Sequence, residues 1–254
     1  MCIRDRDFSR RHLLLTGLGF VVTGCTSTAS SRRAASDRPG PLWPEGIKPP
    51  TPGRYEDSAQ NYRPIHRAKG GLPTRTPAAA NAALPSGVLP RKNWTRHGVA
   101  ANNINPMNGV RKITIHHEGW TPFTGTSLAA TYDRIESIRQ IHTRDRGWAD
   151  IGYHFVIDRK GRVIEGRSLS YQGAHVSENN PHNLGIVLLG NFDQQKPTAD
   201  QIETLGRFTR QMVIAHNVPS HLVRTHREIN PTICPGKHLQ GHIDRLRHRG
   251  VFAA

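Results

Sequence analysis

Apolar residues recur at regular spacings along the C-terminal two thirds of the chain, beginning near Leu89. Residues 112–116 (KITIH) alternate polar and apolar side chains, as a strand with one buried face does. Residues 127–146 carry apolar side chains three and four positions apart, which predicts a helix that Gly147 can end. The continuous apolar run at residues 184–189 is typical of a strand buried on both faces.

Four further elements follow from local signals. Residues 153–158 and 162–166 flank a turn sequence and predict a hairpin. A capping box at residues 198–201 begins a helix. A short strand at 222–225 precedes a last helix, in which Leu239, Ile243 and Leu246 share one face. Strands and helices mix without strict alternation, which predicts one α/β domain with a central mixed β-sheet flanked by helices.

The N-terminal part of the chain differs from the rest in composition and in its pattern of apolar residues. Basic residues lead into an apolar run at 13–22, which is too short to span a bilayer as a helix and indicates a secretory signal at residues 1–25. Its paired arginines after Ser9 resemble a twin-arginine signal. The segment ends in a sequence (VTGC) that resembles a lipoprotein cleavage box, with Cys25 as the lipidated residue. An ordinary signal peptide with an incidental Cys25 is the alternative.

Residues 26–88 are rich in Pro, Ser and Arg and sustain no period of 2 or 3.6, so we expect a disordered linker. The low hydrophobic content of the whole chain, 35%, agrees with an unpacked segment. A net charge of +16 favours anionic partners such as nucleic acid, lipid headgroups or carboxylate-bearing wall polymers. No run interleaves aromatic and basic residues in the manner of base-stacking proteins, and we expect no nucleic-acid partner.

Three residues are candidates for a metal site. His116 ends the first predicted strand, His226 follows the strand at 222–225, and Cys234 lies in a loop that Pro231 and Pro235 keep from being helical. Two imidazoles and one thiolate form a three-ligand zinc set that leaves a fourth position for water, as in catalytic zinc sites.

Two other interpretations of Cys234 stay open: a structural cysteine beside a surface histidine, or a nucleophile. The three cysteines of the chain are odd in number and widely spaced, which argues against a disulfide framework. In an exported protein a thiol without a disulfide or metal partner is exposed to oxidation, which favours zinc.

Seven sequence blocks between residues 89 and 246 resemble, in order, those of the type-2 N-acetylmuramoyl-L-alanine amidases. The resemblance is closest to the branch that holds the peptidoglycan recognition proteins and the phage lysozyme-amidases. The blocks are ITIHH (113–117), GWADIGYHF (147–155), EGR (165–167), GAH (173–175), NLGI (183–186), GNF (190–192) and THREINPTICPG (225–236).

The resemblance implies a peptidoglycan-recognition-protein-like amidase domain that binds Zn²⁺ through His116, His226 and Cys234. It implies catalytic roles for Tyr153 and Thr232, whose neutral hydroxyls suit donation to an oxyanion. The reaction it implies is hydrolysis of the lactyl amide that joins muramic acid to L-alanine in peptidoglycan.

The resemblance also bears on the type of substrate. In peptidoglycan recognition proteins, a Gly-Trp pair and an arginine at the places of Gly147, Trp148 and Arg167 accompany diaminopimelate-type ligands. A guanidinium can hold a carboxylate bidentately, so we expect meso-diaminopimelate-type peptidoglycan as the partner. We expect His175 to line the same groove. Alternatively, Arg167 is a surface arginine, Trp148 a core aromatic residue and Tyr153 a strand residue facing solvent.

These inferences combine into a monomeric zinc amidase at residues 89–250, exported to the periplasm or cell envelope and held at a membrane by a lipid anchor. Two other functions remain open: a non-catalytic peptidoglycan-binding domain, and a different zinc hydrolase that cuts bonds within the stem peptide. The identity of the bond that is cleaved distinguishes them.

Overall fold

The computed structural model describes residues 84–100 and 103–253. The signal peptide predicted at residues 1–25, with its Cys25, lies outside this range, as does the predicted linker up to residue 83. No helix among the described residues is long and apolar enough to cross a membrane.

A six-stranded mixed sheet forms the centre of the domain, with the strand order β1-β4-β3-β5-β2-β6. Every neighbouring pair is parallel except the β3–β4 hairpin. The predicted fold class is therefore confirmed. The strands are β1 (Val88–Leu89), β2 (Lys112–His117), β3 (Phe155–Ile157), β4 (Val163–Glu165), β5 (Asn183–Leu188) and β6 (Val223–Thr225).

Helices cover both faces of the sheet: α1 (Leu128–Gln140), α2 (Ala199–His216) and α3 (Lys237–His248). The predicted capping box of α2 is present, because the Thr198 hydroxyl oxygen accepts from the Gln201 N–H and the Gln201 side-chain oxygen accepts from the Thr198 N–H. The helix predicted at residues 127–146 is α-helical only as far as Gln140. A π-helical turn, Ile141–Asp145, completes it.

All six residues of β5 are buried, as the apolar run predicted. Ile186 and Leu188 pack in the core beneath α2 and α3, whereas Val187 packs with α1 residues on the other face. Strand β5 therefore contributes side chains to the apolar core on both faces of the sheet. Packing against the helices on each face fixes its position.

The domain extends beyond the expected limits of residues 89 and 250. Val88 pairs with Val163 in the sheet, so the segment expected to be linker already contributes an edge strand. Phe252 is 1% exposed and belongs to the core beneath α2 and α3. A two-residue strand and a short tail have no periodicity of their own, and the pattern could not indicate either.

Candidate metal centre

His116, His226 and Cys234 converge at one edge of the sheet. One ligand atom from each lies within 4.8 Å of the other two, and the described residues contain no other such group of metal-binding side chains. The Cys234 Sγ lies 3.6 Å from the His116 Nδ1. A tetrahedral zinc ion with bonds of about 2.0–2.3 Å holds its ligands roughly 3.5 Å apart, so the set fits zinc.

Strand register brings the two histidines together. Ile115 of β2 pairs with Thr225 of β6 in a parallel ladder, and His116 and His226 are the next residue of each chain segment. Because parallel strands end at the same edge of a sheet, two ligands from distant parts of the sequence meet there. Their ring centroids are 4.8 Å apart.

The loop that follows His226 brings Cys234 back to this edge of the sheet. The Arg227 N–H donates to the Cys234 carbonyl at 2.9 Å, and the Cys234 N–H donates to the Thr232 hydroxyl oxygen at 3.2 Å. The loop then passes so close to the backbone of Phe192 that a Cβ at Gly236 would lie 2.5 Å from its carbonyl carbon. Glycine is required there, since Gly236 also has a φ of +86°.

Burial sets the protonation of the three candidate ligands. Burial, followed by the neighbouring His226 and His175 rings, holds the pKa of His116 well below the usual range. Burial lowers the pKa of His226 to about 4 and raises that of the Cys234 thiol to about 12. At neutral pH the metal-free cluster thus has two neutral imidazoles and one thiol, whose proton leaves when a metal binds.

The two expected catalytic residues border the cluster. Tyr153 is half-buried, and its ring centroid lies 5.3 Å from that of His116. Thr232 is exposed, and its hydroxyl oxygen accepts from the Cys234 N–H while its own hydrogen can still be donated. His226 is half-buried, so the cluster has an open side.

His175 does not line a groove as expected. It is 7% exposed and lies behind His116, with its Nδ1 3.0 Å from the His116 Nε2. Its own Nε2 lies 3.0 Å from the backbone carbonyl oxygen of Asn183. Burial lowers the pKa of His175 well below the usual range, so its ring is neutral. The side chain therefore contacts the candidate metal ligand His116 rather than solvent.

The expected role of Arg167 as a direct carboxylate ligand is wrong for this structure. The side chain is 1% exposed. Its guanidinium donates to the backbone carbonyl oxygens of Ile151 at 2.7 Å, Gln172 at 2.6 Å and Asp150 at 3.0 Å. Arg167 therefore fixes the segment that leads into Tyr153 and β3, and its burial keeps the guanidinium away from a substrate carboxylate in this structure.

Gly147 and Trp148 lie beside a cation that sequence analysis missed. Gly147 is exposed, whereas Trp148 is 8% exposed and packs its ring 4.6 Å from that of His142. The guanidinium of Arg146, which is half-buried, stacks 5.0 Å from the centroid of the Trp148 ring. The sequence signal that could have identified Arg146 is its position directly before Gly147 and Trp148.

The π-helical turn presents His142 to the same region. The Gly152 N–H donates to the His142 Nδ1 at 3.0 Å, and the His142 ring centroid lies 5.7 Å from that of Tyr153. Such turns widen a helix by one residue and are frequent at functional sites. His142 is 5% exposed, so it is a packed side chain in contact with the ring of Tyr153.

Comparisons with known proteins show the family to which this domain belongs. The family model described as N-acetylmuramoyl-L-alanine amidase matches residues 106–237, just over half of the chain, and includes all three candidate ligands. Peptidoglycan-recognition protein SC1a of Drosophila melanogaster is 33% identical over 166 residues, which cover 63% of this chain and 86% of that relative.

Two solved structures show the same fold. Wild-type Drosophila PGRP-LB aligns with a TM-score of 0.57 and 26% identity over 62% of this chain and 92% of that chain. Peptidoglycan recognition protein-LE in complex with tracheal cytotoxin, a monomeric diaminopimelic acid-type peptidoglycan, aligns with a TM-score of 0.57 and 25% identity. That alignment covers 63% of this chain and 94% of the other.

Because several histidines are buried, we expect the free energy of unfolding to decrease at acidic pH. His154 is fully buried, accepts from the Gly185 N–H and bonds the Tyr171 carbonyl, and burial lowers its pKa to about 3. The unfolded chain takes up this proton below about pH 6.5, whereas the folded chain does so only near pH 3. The free energy of unfolding should therefore decrease steadily as the pH falls from 6.5 towards 3.

Urea unfolding at pH 7, 6, 5 and 4 measures this dependence. His154→Phe should be less stable at pH 7 but should show a shallower pH slope than the wild type. His97→Phe, which replaces an exposed histidine, should leave the slope unchanged. A wild-type stability that is flat from pH 7 to pH 4 would contradict the protonation states assigned to the core.

Proposed function

Since the chain belongs to the N-acetylmuramoyl-L-alanine amidase family, we propose that it is a zinc-dependent enzyme that hydrolyses the lactyl amide between muramic acid and L-alanine. The observation that carries the proposal is the convergence of His116, His226 and Cys234 on one point. A domain that only binds peptidoglycan needs no such ligand set, and the hydroxyls of Tyr153 and Thr232 beside it favour an enzyme over a binding module.

His116, His226 and Cys234 would hold the zinc ion, which would supply Lewis-acid activation of a water molecule and of the amide carbonyl. His226 is half-buried, so the cluster is open to solvent beside this residue. The substrate carbonyl can approach from this side. As the carbonyl carbon becomes tetrahedral, negative charge develops on its oxygen, and the Tyr153 and Thr232 hydroxyls donate to that oxygen without carrying charge themselves. Tyr153 is also our candidate for the group that protonates the leaving amine.

Digestion of purified peptidoglycan followed by mass spectrometry tests the function directly. We expect intact stem peptides that begin with a free L-alanine amine, together with glycan strands whose lactyl groups are free carboxylates. Tyr153→Phe should keep its zinc and its fold but lose turnover on the order of 10²-fold, because one oxyanion donor is removed. Tyr171→Phe, another half-buried tyrosine, serves as the control and should retain activity.

Each other outcome of the digestion identifies a different function. Products cleaved within the stem peptide would make the protein a peptidase of the wall, and binding without cleavage would make it a recognition domain. Unchanged turnover of Tyr153→Phe would leave Tyr153 as a packing residue.

We further propose a preference for diaminopimelate-type stem peptides, which differ from lysine-type peptides by one carboxylate. The complex of peptidoglycan recognition protein-LE with such a ligand supports this choice in a relative of the same fold. Because Arg167 is buried, the cation that can face this carboxylate is Arg146, which stacks on Trp148 beside the open position at Gly147.

Replacement of Arg146 tests the preference. Hydrogen bonds to charged groups contribute about 1.5–3 kcal/mol, so Arg146→Ala should lower kcat/KM for diaminopimelate-type muropeptides roughly 10–100-fold. It should leave lysine-type substrates nearly unaffected. Arg144→Ala removes an exposed arginine from the π-helical turn that directly precedes Arg146 and should change neither rate. Equal cleavage of matched substrates by the wild type would refute the preference.

Location in the cell envelope, with a lipid on Cys25, remains a proposal from the sequence of residues 1–25. Such an anchor would keep a strongly basic chain beside a polymer that bears carboxylates. Labelled fatty acid should enter the wild-type chain and not Cys25→Ala, and a wild-type chain that never takes up the label would exclude lipidation.

A further inference from the structure

A chain of hydrogen bonds runs from the metal cluster into the sheet. The His116 Nδ1 faces the Cys234 Sγ at 3.6 Å, and the His116 Nε2 lies 3.0 Å from the His175 Nδ1. The His175 Nε2 lies 3.0 Å from the carbonyl oxygen of Asn183. Each ring nitrogen of both histidines therefore has one neighbour, and the last neighbour in the chain is a backbone carbonyl.

The carbonyl fixes the direction of every bond in this chain. A carbonyl oxygen only accepts, so the His175 Nε2 must carry hydrogen. In a neutral ring the other nitrogen then bears a lone pair, and the His175 Nδ1 accepts from the His116 Nε2–H. The His116 Nδ1 is left without hydrogen, and its lone pair points towards Cys234, where a metal needs it.

We propose that His175 is a positioning residue that sets the tautomer of His116, so that Nδ1 is the metal-binding atom. The inference rests on the zinc centre of the proposed function and deepens it. An imidazole free to exchange tautomers would spend part of its time with a hydrogen on Nδ1, which blocks coordination. Loss of an outer partner of this kind typically weakens metal binding 10–100-fold.

The surroundings of His175 are shaped to hold this ring. The Asn180 side-chain oxygen accepts from the backbone N–H groups of His175 at 2.8 Å and Val176 at 2.9 Å, which fixes the backbone. A Cβ at Gly173 would lie 2.5 Å from the His175 Cδ2, and a Cβ at Gly185 would lie 2.7 Å from it. The ring therefore occupies a slot that exists only because both flanking residues are glycine.

Zinc affinity of the full chain, measured by competition with a chelator, tests the proposal. His175→Phe keeps an aromatic ring between Gly173 and Gly185 but removes the acceptor, and should bind zinc about 10–100-fold more weakly. His175→Asn retains a side-chain oxygen that can accept from His116 and should recover part of the loss. His142→Phe removes another buried imidazole, one that packs against Tyr153, and should bind zinc as the wild type does.

Nitrogen-15 spectra of the metal-free wild type provide a second readout that a purely structural role would not move. They should show His116 with hydrogen on Nε2, and His175→Phe should show a mixture of both tautomers. Unchanged zinc affinity in folded His175→Phe, or hydrogen on the Nδ1 of wild-type His116, would overturn the proposal. Wild-type protein that binds no zinc would instead refute the proposed function, while the spectra would still decide the tautomer.

Discussion

The parallel register of β2 and β6 places His116 and His226 one residue beyond a paired Ile115 and Thr225. The geometry of the site depends on this register, because a slip of one residue would turn His116 to the opposite face of the sheet. His117 shows the consequence: it follows His116 directly, yet its Nδ1 accepts from the Phe192 N–H on the other face. A candidate metal ligand and a structural histidine are thus separated by a single position in a strand.

Burial is the second constraint, and it acts on most of the polar groups around the cluster. Removal from water keeps the imidazoles neutral and the Cys234 thiol protonated until a metal arrives. The same burial requires each arginine near the site to find acceptors. Arg91 meets this need at Asp150 and the Gly166 carbonyl, and Arg167 meets it at three backbone carbonyls. These bonds hold the segment before Tyr153 in place, which suits the donor role proposed for the Tyr153 hydroxyl.

Sequence patterns were sufficient for the parts of the fold that repeat a local rule. The fully buried strand β5 and the Thr198 capping box both follow from a few neighbouring residues, and the structure has both. The convergence of His116, His226 and Cys234 could also be anticipated, since a histidine after each of two strands and a cysteine in a proline-bounded loop are local features that share one chemistry.

Features that depend on residues far apart in sequence could not be inferred in this way. An arginine after a strand suggests a carboxylate partner, but only the path of the chain brings the Asp150, Ile151 and Gln172 carbonyls around Arg167. The place of His175 likewise depends on a glycine ten residues later in β5. Both errors concern buried polar side chains, whose partners are backbone groups that a sequence pattern does not specify.

X-ray absorption at the zinc edge of the purified, metal-loaded protein tests the central claim most directly, because it reports the identity and distance of the bound atoms. The account predicts one zinc per chain with one sulfur at about 2.3 Å, two imidazole nitrogens at about 2.0–2.1 Å and one further light atom. A coordination shell that contains no sulfur, or a chain that retains no zinc, would contradict the assignment of His116, His226 and Cys234 as the metal centre.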